Sequence, residues 1–256
     1  MHVDLDGPVP GDAPQERFDA DVGAGMLRAS TLLAIARRSL VADLDVGPLP
    51  DGVEVHGRLS DRAAAIGATV AAPLLHVTVD RTEAGVTDRV QVRWSPSAAV
   101  AIGPVVADDL SDVPQRVVSA DPEAFPALVV EAMGLTAVPA GPAVAALDAR
   151  RLAAAVAAGP DAPEVAGTPA SRLRLVTAVV IAPAPTSSVA VVHPPGPRAG
   201  TSPVSRALLV GDDGSWRVET PDAAGTTLHL VPWAGSDERD WFVQVTDGVA
   251  ASYDGS

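Results

Sequence analysis

The sequence of 256 residues contains neither cysteine nor lysine. Without cysteine the chain has no disulfides, no thiolate nucleophile and no cysteine-ligated zinc site. Without lysine it cannot carry a Walker-type phosphate loop, because the lysine of that motif contacts the phosphates of the nucleotide. Several classes of enzyme are therefore excluded, whereas chemistry based on carboxylates or histidine remains open.

Aromatic residues are also scarce, at 3% of a chain that is 47% hydrophobic. The core must therefore consist mainly of Ala, Val and Leu, with four tryptophans as its large side chains. Every apolar run falls short of the roughly 18 residues of a membrane-spanning helix. The acidic N-terminus lacks the basic region of a signal peptide. We therefore expect a cytoplasmic protein that does not insert into a membrane.

Positive charge is limited to 18 arginines, which face 32 acidic residues and leave a net charge of −14. A strongly negative protein is repelled by nucleic acids and by anionic membrane surfaces. We therefore predict no nucleic-acid partner. The charge is compatible with a cationic or apolar partner instead.

The rest of the chain is organised around a predicted β-hairpin. Apolar and polar residues alternate over residues 75–80 and 86–94, which is typical of strands with one buried face. The turn at Thr82-Glu83-Ala84-Gly85 ends in a glycine that can adopt a positive φ. An amphipathic helix over residues 60–72 precedes the hairpin, and a strand over residues 98–102 follows it.

The other elements are predicted from periodicity and from start and stop signals, such as the helix start at Asp121-Pro122. They are helices over residues 26–44, 121–133 and 143–158, a short strand over 53–56, and strands over 173–181, 188–193, 206–210, 216–220, 226–231 and 241–246. Residues 107–112, 161–171 and 194–203 are predicted loops.

In the predicted order, two helices precede a set of strands, and two more helices precede a second set. This order indicates an α+β protein with antiparallel sheets partly covered by helices. Residues 1–21, which are acidic and proline-rich, are predicted to form a poorly ordered arm. Residues 22–256 are predicted to form a single domain. Within it, residues 22–118 and 119–250 are candidate pseudo-symmetric halves.

The five histidines (His2, His56, His76, His193 and His229) show none of the close spacings of metal sites. His76 and His229 lie on the polar faces of predicted strands, where surface exposure explains them better than catalysis.

Acidic residues occur in small groups that could hydrolyse glycosides or bind a divalent cation. The groups are Asp4/Asp6, Asp19/Asp21, Asp43/Asp45, Asp108/Asp109/Asp112, Asp212/Asp213 and Asp237/Glu238/Asp240. In so acidic a chain, solvated surface charge is the better explanation. No catalytic residue, cofactor or metal ligand is therefore predicted.

The four tryptophans, Trp94, Trp216, Trp233 and Trp241, lie in or beside predicted strands. Packing in the core or at a sheet edge is favoured for them. The alternative is a cluster exposed around residues 234–240, which would be a hot spot for binding another protein.

One succession of segments between Leu32 and Met133 is similar to that of a known family. It passes from a helix through Leu44-Asp45, Ser60-Asp61-Arg62-Ala63-Ala64-Ala65 and Ala71-Ala72-Pro73-Leu74-Leu75-His76-Val77-Thr78-Val79 to a charged hairpin and a helix led by Asp121-Pro122. In this order the chain resembles the EspG family of ESX (type VII) secretion-associated proteins of GC-rich bacteria. Arg206-Ala207-Leu208-Leu209-Val210 and Trp216-Arg217-Val218 look like the late hairpin of that family. The family ends in a helix, whereas strands are predicted here.

The resemblance implies a cytosolic, non-enzymatic chaperone or adaptor that binds the apolar helical tip of a secretion substrate. The positions that match the family's binding regions are the loop over residues 81–87 and the helices over residues 121–133 and 143–157. The partner-binding residues that it implies are Arg81, Thr82, Glu83, Ala84, Gly85, Phe125, Leu128 and Met133.

Two other functions are compatible with the residues themselves. The first is a hydrolase or metal-dependent enzyme that uses loop carboxylates, which would be stabilised by Mg²⁺, Ca²⁺ or Mn²⁺. The second is a structural protein that self-associates through a sheet edge or through its tryptophans.

Overall fold

The structure is a computed structural model, and it describes residues 15–42, 44–106, 112–144, 147–158, 173–182, 203–219 and 227–254. The strands are β1 (Arg17–Asp19), β2 (Ala24–Leu27), β3 (Glu54–Val55), β4 (Arg58–Leu59), β5 (Leu75–Glu83), β6 (Val86–Ser95), β7 (Ala98–Val106), β8 (Gln115–Ala120), β9 (Leu147–Asp148), β10 (Arg174–Ile181), β11 (Val204–Gly211), β12 (Gly214–Glu219) and β13 (Thr227–Pro232). The helices are α1 (Ala29–Leu40), α2 (Asp61–Ala71), α3 (Phe125–Ala132), α4 (Ala149–Ala158) and α5 (Gly235–Asp254), and a 3₁₀ turn (Pro122–Ala124) leads into α3.

Eleven strands form one antiparallel sheet in the order β1-β2-β8-β7-β6-β5-β10-β11-β12-β13-β9. On one side of the central β5–β10 pair lie β6, β7 and β8 in chain order, followed by the earlier hairpin of β2 and β1. On the other side lie β11, β12 and β13 in chain order, followed by the earlier strand β9 at the edge. The predicted α+β class, with antiparallel strands partly covered by helices, is confirmed. The boundaries of the two candidate halves stay a prediction.

Helices cover both faces of the sheet. Successive residues of a strand point to opposite faces, and apolar residues on each face are buried under helices. Val77 and Val92 lie in one core with Phe125 of α3 and Phe242 of α5. On the opposite face, α1 and α2 pack on β7 through a second core. A third core, around Trp216, joins α4 to β11, β12 and β13. We refer to the face of the sheet that carries the first core as the α3/α5 face and to the face that carries the second core as the α1/α2 face.

Helix α2 begins as its sequence predicts. The Ser60 side chain accepts a hydrogen bond from the backbone N–H of Ala63 at 3.3 Å, and Asp61 lies in the first turn. Both features stabilise a helix N-terminus. The buried residues Ala63 and Ile66 then orient the helix toward the sheet.

Several predicted elements differ from the structure. Residues 241–246 were predicted as a strand, which is wrong, because they lie within α5. The predicted arm extends too far, since β1 pairs with β2 and Phe18 is buried. Strand β8 was missed, and the first helix begins at Ala29 rather than at residue 26. The predicted strand over residues 188–193 lies outside the described residues.

Replacement of Ala84 by Asn is expected to raise the free energy of unfolding by about 0.5–1 kcal/mol. Ala84 (φ +48°) and Gly85 (φ +80°) form the two-residue loop between β5 and β6, and both have left-handed backbones. Asn adopts this conformation more easily than Ala, and Asn-Gly is the preferred pair in such loops. Urea denaturation measures the change. Gly85→Ala should have the opposite sign, and a less stable Ala84→Asn protein would contradict the explanation.

Candidate functional site

The tip of the β5–β6 hairpin is the most exposed part of the predicted binding site. The ladder runs from the Leu75–Trp94 pair to the Glu83–Val86 pair without a break in register. Residues 83–86 are all exposed, and the apolar Val86 is 58% exposed. Behind the tip, the hydroxyls of Thr82 and Thr87 lie 2.9 Å apart. The tip thus exposes the apolar side chain of Val86 next to a cross-strand hydrogen bond between two threonines.

Two cross-strand ion pairs, one on each face, hold the strands below the tip together. Arg89 donates two hydrogen bonds to the carboxylate of Asp80, at 2.7 and 2.9 Å. The Arg81 guanidinium lies 4.0 Å from the carboxylate of Asp88, and its side chain is only 5% exposed. Opposite charges at facing positions stabilise antiparallel strands. Arg81 was predicted to contact a partner, but its side chain is buried and pairs with Asp88 within the hairpin.

The predicted contacts in the helix over residues 121–133 are not at the surface. Phe125 and Met133 have no exposed area, and Leu128 is 3% exposed. All three pack in the core of the α3/α5 face. Their burial contradicts the prediction that they contact a partner, because a buried side chain cannot do so in the folded protein. The exposed tip residues Glu83, Ala84 and Gly85, with the half-buried Thr82, remain candidates.

The helix predicted over residues 143–157 is α4, which begins later, at Ala149. Asp148 caps it by accepting hydrogen bonds from the backbone N–H groups of Arg150 and Arg151, at 2.8 and 3.0 Å. Leu152 is buried against the sheet. The helix packs through this residue, while Arg150 and Arg151 are exposed.

A buried ionic cluster joins the N-terminal turn of α5 to β11. Glu238 has no exposed area and accepts two hydrogen bonds from Arg206, both at 2.7 Å. It also accepts one from the indole N–H of Trp233 at 2.8 Å. The guanidinium carbon of Arg206 lies 4.1 Å from the ring centroid of Trp241. We refer to these four residues as the Glu238 cluster.

The Glu238 cluster accounts for two of the four tryptophans and for one of the acidic groups. Trp94 and Trp216 are buried, and Trp233 and Trp241 are half-buried. Packing, the favoured interpretation of the tryptophans, is thus what the structure shows. Asp237 beside the cluster accepts a hydrogen bond from the backbone N–H of Ala234 at the start of α5. Its neighbour Glu238 was predicted as surface charge, which is wrong.

Among the described residues, no group of three or more histidine and acidic side chains is arranged to hold a metal ion. His56 and His229 take part in no such group. In the described part of the chain, no helix is both long and apolar enough to cross a membrane.

His76 on β5 lies opposite Arg93 on β6, on the α1/α2 face. Burial, and secondarily the positive charge of Arg93, lowers the pKa of His76 from 6.5 to about 4. The ring is therefore neutral at pH 7. The predicted solvent-exposed histidine is half-buried instead.

Between pH 7 and pH 4, wild-type protein is expected to lose about 2 kcal/mol more stability than a His76→Gln variant. The unfolded histidine binds a proton below about pH 6.5, whereas the folded one resists it until about pH 4. The contribution of neutral His76 to the free energy of unfolding is therefore fully present above pH 6.5 and is lost as the pH falls toward 4. Urea denaturation of both proteins across this pH range measures the difference. The acidic groups titrate in both proteins, so their contribution cancels in the comparison. Parallel curves would contradict the depressed pKa.

Comparison with known proteins gives a likeness in structure and none in sequence. No family model matches the sequence, and no curated protein matches it. A solved structure of the Mycobacterium tuberculosis type VII secretion system chaperone EspG5, in complex with a PE25-PPE41 dimer, is similar to this structure with a TM-score of 0.48. The two chains are 16% identical, and the match covers 88% of this chain and 96% of the other. A likeness of this size does not assign a function.

Proposed function

We propose that the protein is a non-enzymatic binding protein, an EspG-like cytosolic chaperone or adaptor for a helical type VII secretion substrate. The proposal takes its class of partner from the resemblance of this chain's order of segments to that of the EspG family. It takes its contact surface from the hairpin tip. The observation that carries it is the exposure of Val86 at the end of a hairpin that two ion pairs brace.

Two further features support the proposal. The resemblance implies a helix after the late hairpin, and α5 follows β12 and β13 as a helix of 20 residues. The outermost strands of the eleven-stranded sheet, β1 and β9, are three and two residues long. Such short edge strands offer little backbone for pairing between sheets, which disfavours the alternative of self-association through an edge.

Affinity purification from the native host, with the wild-type chain as bait, tests the proposal. We expect the wild type to retain a helical secretion substrate and a Val86→Asp variant to lose it, because a charge at the tip opposes burial against an apolar partner. Val243→Asp is the matched control, since Val243 is 40% exposed on α5. Purified partner and bait should then reproduce the difference in a direct binding assay.

Two results would contradict this function. One is a bait that copurifies with no helical substrate. The other is a thermal shift with Mg²⁺, Ca²⁺ or Mn²⁺ accompanied by hydrolase activity, which would support the carboxylate-based enzyme instead.

A further inference from the structure

A groove on the α1/α2 face lies apart from the hairpin tip. Its volume is about 530 Å³, and its twelve lining residues come from α1, α2, β6, β7 and β8. Two of them, Leu33 and Leu40 of α1, are 51% and 67% exposed. Residues seven apart in a helix lie on the same side, about 10 Å from each other. They form an exposed apolar ridge along one wall of the groove.

The sheet side of the groove contains the guanidinium of Arg93, which has no counterion among the residues that the structure describes. Arg93 donates hydrogen bonds to the backbone carbonyl of Val70 at 2.7 Å and to the side-chain oxygen of Gln91 at 3.0 Å. Its Nε–H is buried and has no hydrogen-bond partner in the described part of the chain. No carboxylate of the described residues forms an ion pair with Arg93. Burial lowers the pKa of this guanidinium, so its environment disfavours the unpaired charge.

The groove differs in charge from the rest of the protein. None of its twelve lining residues is acidic, and Arg37 is exposed beside the ridge. The chain as a whole carries a net charge of −14. An anionic group would therefore be attracted to this groove and repelled by most of the remaining surface.

We propose that the groove is a docking site for an amphipathic helix of another protein that carries an Asp or Glu side chain on its apolar face. Apolar side chains of that helix pack on Leu33 and Leu40, and its carboxylate pairs with Arg93. The half-buried guanidinium of Arg93 lines the groove, and charge-assisted hydrogen bonds between a guanidinium and a carboxylate are strong. The spacing of the ridge favours a helical partner, because helix-in-groove recognition uses contacts at such intervals.

Selection from a displayed library of 16-residue helical peptides, with the full chain as target, tests this site. We expect the enriched peptides to carry an acidic residue flanked by apolar residues three or four positions away. Fluorescence anisotropy with these peptides should give a Kd that rises about 10- to 100-fold for Arg93→Gln. A rise of similar size is expected for Leu40→Asp, whereas Val243→Asp should bind as the wild type does.

A change in the peptide tests the same ion pair without altering the protein. Replacement of the acidic residue of an enriched peptide by its amide should weaken binding to the wild type as much as a folded Arg93→Gln variant weakens it. The change in the peptide remains a test even if Arg93→Gln folds poorly. Enrichment of no peptide, enrichment of peptides without an acidic residue, or equal binding to Arg93→Gln would each overturn the proposal. So would sedimentation that shows a dimer of this chain which Leu40→Asp dissociates, because the occupant would then be a second copy.

This test is independent of the function proposed for the hairpin tip. Val86→Asp leaves the groove unchanged, so peptides that occupy the groove should bind this variant with wild-type affinity. Loss of the secretion substrate by Val86→Asp, together with retention of the peptides, would separate the two sites.

Discussion

Glu238→Gln is expected to lower the free energy of unfolding by about 3–5 kcal/mol, as measured by urea denaturation. The substitution preserves the shape of the side chain but removes its charge. Arg206, whose side chain is 11% exposed, then remains as a largely buried cation without its carboxylate partner. The hydrogen bond from Trp233 is weakened as well, because an amide oxygen is a poorer acceptor than a carboxylate. Removal of one member of a buried pair therefore costs far more than a surface substitution.

Asp240→Asn is the matched control for this prediction. Asp240 lies two residues further along α5 and is exposed, so the same loss of one negative charge should change stability by no more than about 0.5 kcal/mol. A double-mutant cycle with Arg206→Gln should recover part of the loss, because both charges are then absent. Equal effects of Glu238→Gln and Asp240→Asn would show that the ion pair contributes nothing specific.

Phe242→Ala is expected to lower the free energy of unfolding by about 3–5 kcal/mol. Phe242 has no exposed area, and its ring packs edge-on against Phe125, with centroids 6.2 Å apart, and against Trp241, at 4.8 Å. The substitution leaves a cavity between α3, α5 and the sheet.

Val243→Ala, at the next position of the same helix, is the control for the cavity. Its side chain is 40% exposed, so the expected change is within about 0.5 kcal/mol. Equilibrium urea unfolding of both variants makes the comparison. A loss below about 1 kcal/mol for Phe242→Ala would indicate that α5 is only loosely attached to the α3/α5 face.

Local patterns predicted the hairpin and α2 because their signals lie in neighbouring residues. Alternation over β5 and β6 reports one buried face for each strand, and Ser60 with Asp61 marks a helix start. The exposure of the tip followed from its turn residues. A tight turn between long strands extends into solvent, and residues 83–86 are exposed; that the tip residues bind a partner stays a prediction.

Elements whose periodicity is ambiguous were predicted wrongly. Residues 117–120 of β8 are all buried, so the strand lacks the alternation that marks a half-exposed one. The reverse occurs in α5, where Trp241-Phe242-Val243-Gln244-Val245-Thr246 partly alternates. A wider window shows Glu238, Phe242, Val245 and Val249 buried at helical spacing. The stretch from Ser236 to Glu238 before it is a helix-start signal that could have identified α5.

The wrong assignment of the α3 residues as a binding surface has a similar cause. Helix α3 is apolar on most of its circumference, and a helix of this kind is normally buried. That signal was present in the sequence. The groove and the Glu238 cluster, by contrast, depend on contacts between distant segments, as between Arg206 and Glu238, and no local pattern reports them.

During synthesis on the ribosome, β5 emerges long before β10, although the two strands pair along the centre of the finished sheet. Until then the nine residues of β5 have unpaired backbone groups along one side, and such an edge promotes association with other chains. Asp80 and Arg81 place opposite charges on this strand, which opposes pairing with an unrelated apolar strand. A chain arrested before residue 174 is therefore expected to aggregate more readily than the complete protein. Translation speed between the two strands is thus expected to influence the yield of folded molecules.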